Sequence, residues 1–250
     1  MPEVIFPGPD GRLEGRYHPQ KIKDAPIAII LHPHPLYGGT MNNKVVYNLH
    51  YAFHKIGFTC LRFNFRGVGR SQGEYVQGIG ELSDAASALD YLQALNPNAR
   101  SCWVAGFSFG AWIGMQLLMR RPEIAGFVSV APPANQYDFS FLAPCPSSGL
   151  IIGGSADRVV PPTDVANLAD KLKQQKGNPA IDIAWIDGGI SELAAADGVV
   201  AAIDAGKVPN VAGLIPEAIY KRKDGQIYAL STGFYALGIN MLLVAIGPIC

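Results

Sequence analysis

Short apolar runs alternate with segments of helical period from residue 26 to about residue 175, and this alternation limits the fold more than any other feature of the chain. "PIAIILHPHP" is a continuous apolar run closing in proline and polar residues. Such a run suits a strand covered on both faces, as in a parallel sheet. "NNKVVYNLHYAFHKIG" then places apolar residues three and four apart and stops at Gly57, which predicts a helix. "FTCLRFNF", "SCWVAG", "GFVSVAP" and "GLIIGG" repeat the strand pattern, and "GELSDAASALDYLQAL", "FGAWIGMQLLMRR" and "DVANLADKLKQQKG" the helical one. Strands joined through helices imply right-handed crossovers, so the expected class is α/β with a mostly parallel sheet. Ahead of this series, Asp10-Gly11 predicts a tight turn with "RLEGRYHP" as the second arm of a hairpin.

The rhythm changes beyond about residue 181. "IDIAWIDGG" predicts one more strand, "ISELAAADGVVAAID" a helix broken by Asp197-Gly198, and "YKRKDGQIYAL" a hairpin turn. From Gln226 to Cys250 there is no charged residue, but Ser231, Thr232, Asn240, Pro248 and several glycines interrupt the stretch, so a buried segment is expected rather than a membrane span. The first residues lack the basic start and apolar core of a secretion signal. Cys60, Cys102, Cys145 and Cys250 show no CxxC spacing and no clustering with histidine, which predicts free, structural thiols in a reduced cytoplasm. Twenty basic residues balance twenty acidic ones without a basic run, so no nucleic-acid partner is expected. No dinucleotide or phosphate-loop signature and no metal-spaced ligand set is present, so neither a cofactor nor a metal is expected.

The chemistry is carried by Gly106-Phe107-Ser108-Phe109-Gly110. A lone GxSxG is weak, but this one falls between a predicted strand, Cys102 to Ala105, and a predicted helix, Phe109 to Arg121. That is the context of a nucleophile elbow, in which a sharp turn lifts the serine oxygen to the helix N-terminus.

With "LHPHPLYGGTMNN", "NFRGVGRSQGEY" and "GSADRVVPP", this motif makes residues 1 to about 180 resemble an α/β-hydrolase. The resemblance implies helices on both faces of the sheet and hydrolysis of a small ester or acyl substrate through a covalent intermediate. Ser108 would be the nucleophile, Asp157 the triad acid, and the backbone N–H of Phe109 one oxyanion donor. The second donor would be the N–H of His34, since Pro33 and Pro35 have none, with Leu36 and Tyr37 just beyond. The side chains of His32 and His34 are expected to pack and orient the loop. Asp157 could instead be a turn aspartate capping its own loop.

In this fold the histidine follows the acid in chain order, which puts it near Gly188 to Glu192, in "GGISE". All five histidines, His18, His32, His34, His50 and His54, precede Ser108. The expected function is therefore a serine hydrolase impaired by loss of its base; the alternative is a non-catalytic scaffold of the same fold that binds a small molecule. "IDIAWIDGGISELAAADGVVAAID" and "IPEAIYKRKDGQIYALSTGFYALGINM" resemble a fragment of an ABC-transporter solute-binding protein. The chain is thus expected to be a chimera, with a hydrolase-like core over 1–187 and a divergent segment over 188–250 whose apolar tail could promote self-association.

Overall fold

The computed structural model describes residues 2–142, 145, 147–161, 163–164, 183–186, 219–221, 225, 227–231 and 242–245. The chain divides into two compact units, Met1–Val130 and Ala131–Cys250. The predicted helices over "DVANLADKLKQQKG" and "ISELAAADGVVAAID", and the expected division between 187 and 188, lie outside the described residues.

In the first unit, β1 (Glu3–Gly8) and β2 (Gly11–His18) form the predicted hairpin, with Gly8 opposite Gly11 across the turn. β2 pairs antiparallel with β4 (Thr59–Phe63), and β4 pairs parallel with β3 (Ile27–Leu31). β3 also pairs parallel with β5 (Cys102–Phe107), and β5 with β6 (Ile124–Val130). Every residue of β3 is buried, as a strand covered on both faces requires. Ala28, Ile30, Cys60 and Ala105 meet Val46 and Phe53 of α1 (Lys44–Lys55) on one face. α3 (Phe109–Leu118) covers the other: a Cβ on Gly114 would stand 3.1 Å from Val104 and 3.4 Å from Leu31. α2 (Ile79–Leu95) packs beside α3. The helix expected to run to Arg121 stops at Leu118, because Pro122 disfavours helical backbone at the residue before it.

A buried ion pair ties the loop after β4 to α2. Asp84, fully buried, accepts from the Arg66 guanidinium at 3.0 and 2.8 Å and from the Arg66 backbone N–H at 3.0 Å. These bonds raise the Arg66 pKa against the opposing effect of burial. Asp84→Ala would leave the buried guanidinium with only the exposed carboxylate of Asp10, 3.7 Å away and outside hydrogen-bond distance. The expected cost is about 3–5 kcal/mol, measurable as a lower urea midpoint; a change below about 1 kcal/mol would contradict this role.

In the second unit, β7 (Ser148–Ile152) pairs parallel with β8 (Ile183–Ile186), so "IDIAWID" does supply one more strand. Beyond it the sheet turns antiparallel: β8 pairs with β11 (Leu242–Ala245), β11 with β10 (Ile227–Ser231), and β10 with β9 (Ile219–Lys221). β9 and β10 are the arms of the hairpin expected around Asp224-Gly225. This antiparallel extension departs from the strand–helix alternation of the earlier chain. No described helix is long and apolar enough to cross a membrane.

Candidate active site

Ser108 sits at the junction of β5 and α3 with φ 53° and ψ −119°, a combination that side-chain-bearing residues avoid. Its N–H donates to Val130 O at 2.8 Å, and its carbonyl accepts from Ala111 N–H at 2.8 Å, so the adjacent strand β6 and the helix α3 hold the turn. The turn needs bare backbone on either side. A Cβ on Gly106 would stand 2.2 Å from Gly110 O, and one on Gly110 would stand 2.5 Å from the carbonyl oxygens of Leu31 and His32. Ser108 is half-buried, and its side chain makes no capping bond to α3. Phe109 is the first residue of α3, where N–H groups point out along the helix axis.

The loop after β3 carries His32 and His34. His32 is fully buried, accepts from Phe65 N–H at Nε2 (3.0 Å) and donates from Nδ1 to Pro33 O (2.6 Å). Both ring nitrogens are thus spent on orienting the loop. His34 accepts from Leu36 N–H at Nδ1 (3.2 Å), which leaves its proton on Nε2, 3.0 Å from the Tyr75 hydroxyl. Its carbonyl accepts from Tyr37 N–H at 3.2 Å and Gly39 N–H at 3.0 Å. The N–H groups of Leu36 and Tyr37 are therefore committed to His34, whereas the N–H of His34 has no acceptor among the described residues.

Burial pushes the His32 pKa down to about 4, partly offset by the bond to Pro33. Burial also lowers His34, opposed by the nearby Glu81 carboxylate. Both imidazoles are neutral at pH 7. For His32 the folded value lies below the ordinary one of about 6.5, so its contribution to stability is complete above pH 6.5 and is lost as pH falls toward 4. The gap corresponds to about 3 kcal/mol. Urea unfolding between pH 7.5 and pH 4 should reveal a fall of at least this size, because burial also lowers His50, to about 3, and its contribution is lost with the same sign; a flat profile would contradict it.

The other three histidines lie away from this loop. His18 stacks on His54, with ring centroids 3.3 Å apart, and its Nδ1 meets His50 Nε2 at 3.2 Å. His54 Nδ1 faces Gln20 Nε2 at 3.0 Å and Phe58 O at 3.3 Å. No ring nitrogen of any of the five bonds to Ser108.

In the second unit, Asp157 lies just after β7, half-buried. Its Oδ1 accepts from Val159 N–H at 2.8 Å and Val160 N–H at 3.0 Å, the bonding of an aspartate that shapes its own turn. Cys60, Cys102 and Cys145 are free and buried, and burial raises Cys60 and Cys102 to about 12. No described group of three His, Cys, Asp or Glu residues is arranged to hold a metal ion.

Sequence reasoning did not find the polar network that braces this loop. Asn64 Oδ1 accepts from Met41 N–H at 2.8 Å, and Asn64 Nδ2 donates to Glu14 at 2.9 Å. Glu14 also accepts from Arg70 N–H at 2.9 Å, while the Ser71 hydroxyl bridges Glu14 N–H and Asn64 O. Arg62 donates to Met41 O and to Asn42 Oδ1 at 3.0 Å. The available signal was Arg62 and Asn64 within the apolar "CLRFNF", since buried polar groups need partners.

A family model described as the alpha/beta hydrolase fold matches residues 35–148. An uncharacterised protein of Rickettsia prowazekii is 54% identical over 191 residues, 75% of this chain and 80% of the relative. Among solved structures, an α/β-hydrolase candidate of unknown function from Agrobacterium tumefaciens is 73% identical, with 70% of this chain and 80% of that one covered and a TM-score of 0.68. A Xanthomonas campestris protein described as an α/β serine hydrolase without a lid is 34% identical, with 72% and 81% covered and a TM-score of 0.63. On the strength of these matches and the strand–turn–helix at Ser108, the chain belongs to the α/β-hydrolase fold family.

Proposed function

We propose that Ser108 is the nucleophile of a serine-hydrolase site for a small ester or acyl substrate, and that the site is impaired because it has no histidine base. The observation that carries this reading is the backbone of Ser108, φ 53° and ψ −119° between β5 and α3. A carbonyl carbon over Oγ would place its oxygen toward the N–H of Phe109 and the N–H of His34, the two oxyanion donors. Asp157 is the acid left over from a triad. An ionised carboxylate is too weak a base at pH 7 to take its partner's place. The histidine's expected position, Gly188 to Glu192, lies outside the described residues, but the sequence there holds no imidazole.

We assign residues 1–187 to the hydrolase-like core and 188–250 to a divergent segment similar to part of a solute-binding protein, self-associating through its apolar tail. The proposed setting is the cytoplasm, without a cofactor, nucleic acid or membrane.

Reaction with a fluorophosphonate at pH 8 tests the site. Labelling should stay far below one per chain, and what occurs should vanish in Ser108→Ala. Rapid, complete, Ser108-specific labelling would overturn the impairment.

A further inference from the structure

The rings of His34, Tyr37 and Tyr75 gather beside the serine turn, over the buried ring of Phe109. Phe109, adjacent to Ser108 in the chain, has its ring centroid 5.0 Å from His34, 6.0 Å from Tyr75 and 5.7 Å from Trp112. His34 in turn lies 4.6 Å from Tyr37 and 4.8 Å from Tyr75. The bond between His34 and the Tyr75 hydroxyl joins the loop holding Leu36 and Tyr37 to the one holding Val76, which runs into Ile79 at the start of α2. All four of those apolar side chains are exposed, Tyr37 at 85% and Ile79 at 76%.

On the two loops that carry them, no cation among the described residues stands free. His34 is held neutral, and the Arg66 guanidinium, buried near Gly80, is bound to Asp84. Both oxygens of the buried Glu81 carboxylate accept backbone N–H groups, from Val76 at 3.0 Å and Gly78 at 2.7 Å. On the second loop Arg70 and Glu74 are both exposed, but Arg70 is bound to Glu3, on the edge hairpin, and Glu74 is negative. A face of this composition attracts flat apolar groups and gives an anion nothing to pair with.

We propose that His34, Tyr37, Tyr75, Val76 and Ile79 form a subsite for a neutral, apolar group, an aromatic ring above all, attached to the carbonyl that Ser108 faces. The assignment rests on the reading of Ser108 and the His34 N–H as the reacting end of the site. A carbonyl held there has its nearest substituent next to the rings of Phe109 and His34, and the exposed apolar residues continue outward from them.

The test is binding of 2-acetylnaphthalene, an uncharged aryl ketone that mimics the ester carbonyl, to the full chain by saturation-transfer NMR and calorimetry. The anion 2-naphthoate is the matched comparison. The ketone should bind saturably and the anion at least about tenfold more weakly. Tyr37→Ser and Ile79→Ser, both at exposed positions, should each weaken the ketone about fivefold, as the loss of one ring or apolar contact predicts, and Tyr37→Phe should restore binding. Equal binding of ketone and anion, no saturable binding, or no effect of either serine substitution would overturn the subsite. Fast phosphonylation of Ser108 would instead overturn the impairment while leaving the subsite standing.

Discussion

Replacing Gly110 with alanine should destabilise the protein by about 3 kcal/mol or more, lowering the melting temperature by roughly 10 °C. Helix propensity argues for the opposite sign, since a glycine-to-alanine change inside a helix ordinarily gains up to about 1 kcal/mol. Close approach decides the outcome. The new methyl group would lie 2.5 Å from the carbonyl oxygens of Leu31 and His32 and 2.7 Å from the Leu31 carbonyl carbon. All three atoms belong to the backbone at the end of β3, which hydrogen-bonds to β4 on one side and β5 on the other. β3 cannot yield without breaking that pairing. Gly114→Ala is the internal control, because its methyl would meet only the side chains of Val104 and Leu31, at 3.1 and 3.4 Å. Differential scanning calorimetry of the two variants measures the contrast. Equal effects, or a stabilised Gly110→Ala, would contradict a sharp elbow at Ser108.

The second large effect is on turnover. Hydrolysis of p-nitrophenyl acetate should run about a million-fold below that of a complete Ser-His-Asp site, equivalent to about 8 kcal/mol of barrier. The members of such a triad act as a unit, so removing another after the base is gone costs little. Ser108→Ala should therefore leave the slow reaction unchanged within about twofold. What survives is the contribution of substrate positioning and of the oxyanion donors, roughly a thousand-fold over water. A Ser108→Ala variant that loses a hundred-fold or more would show that some other group removes the serine proton.

The strand–helix alternation was legible because each buried strand of the first unit is a short apolar run, as "IAIIL" of β3 shows, fully covered on both faces. The serine turn was legible for a local reason, since both glycines of GFSFG are demanded by atoms within a few residues or at the end of one neighbouring strand. Boundaries were less so: Asn43, rather than Asn42, caps α1 by accepting from Val45 N–H at 2.9 Å, a choice between two identical residues that pattern cannot make. The network of Glu14, Asn64, Ser71 and Arg62 joins residues up to 57 apart in sequence, and no local spacing signals such contacts. The antiparallel pairing of β8 with β11 was equally illegible, since Leu242–Ala245 is an apolar run without a turn residue to fix its partner.

The pH dependence of Ser108 phosphonylation tests most directly whether the serine lacks a base. With no imidazole to accept its proton, the rate constant should rise with hydroxide concentration alone, without an inflection in the neutral range. A sigmoidal profile with its midpoint near the ordinary imidazole value of about 6.5, abolished in Ser108→Ala, would contradict the account.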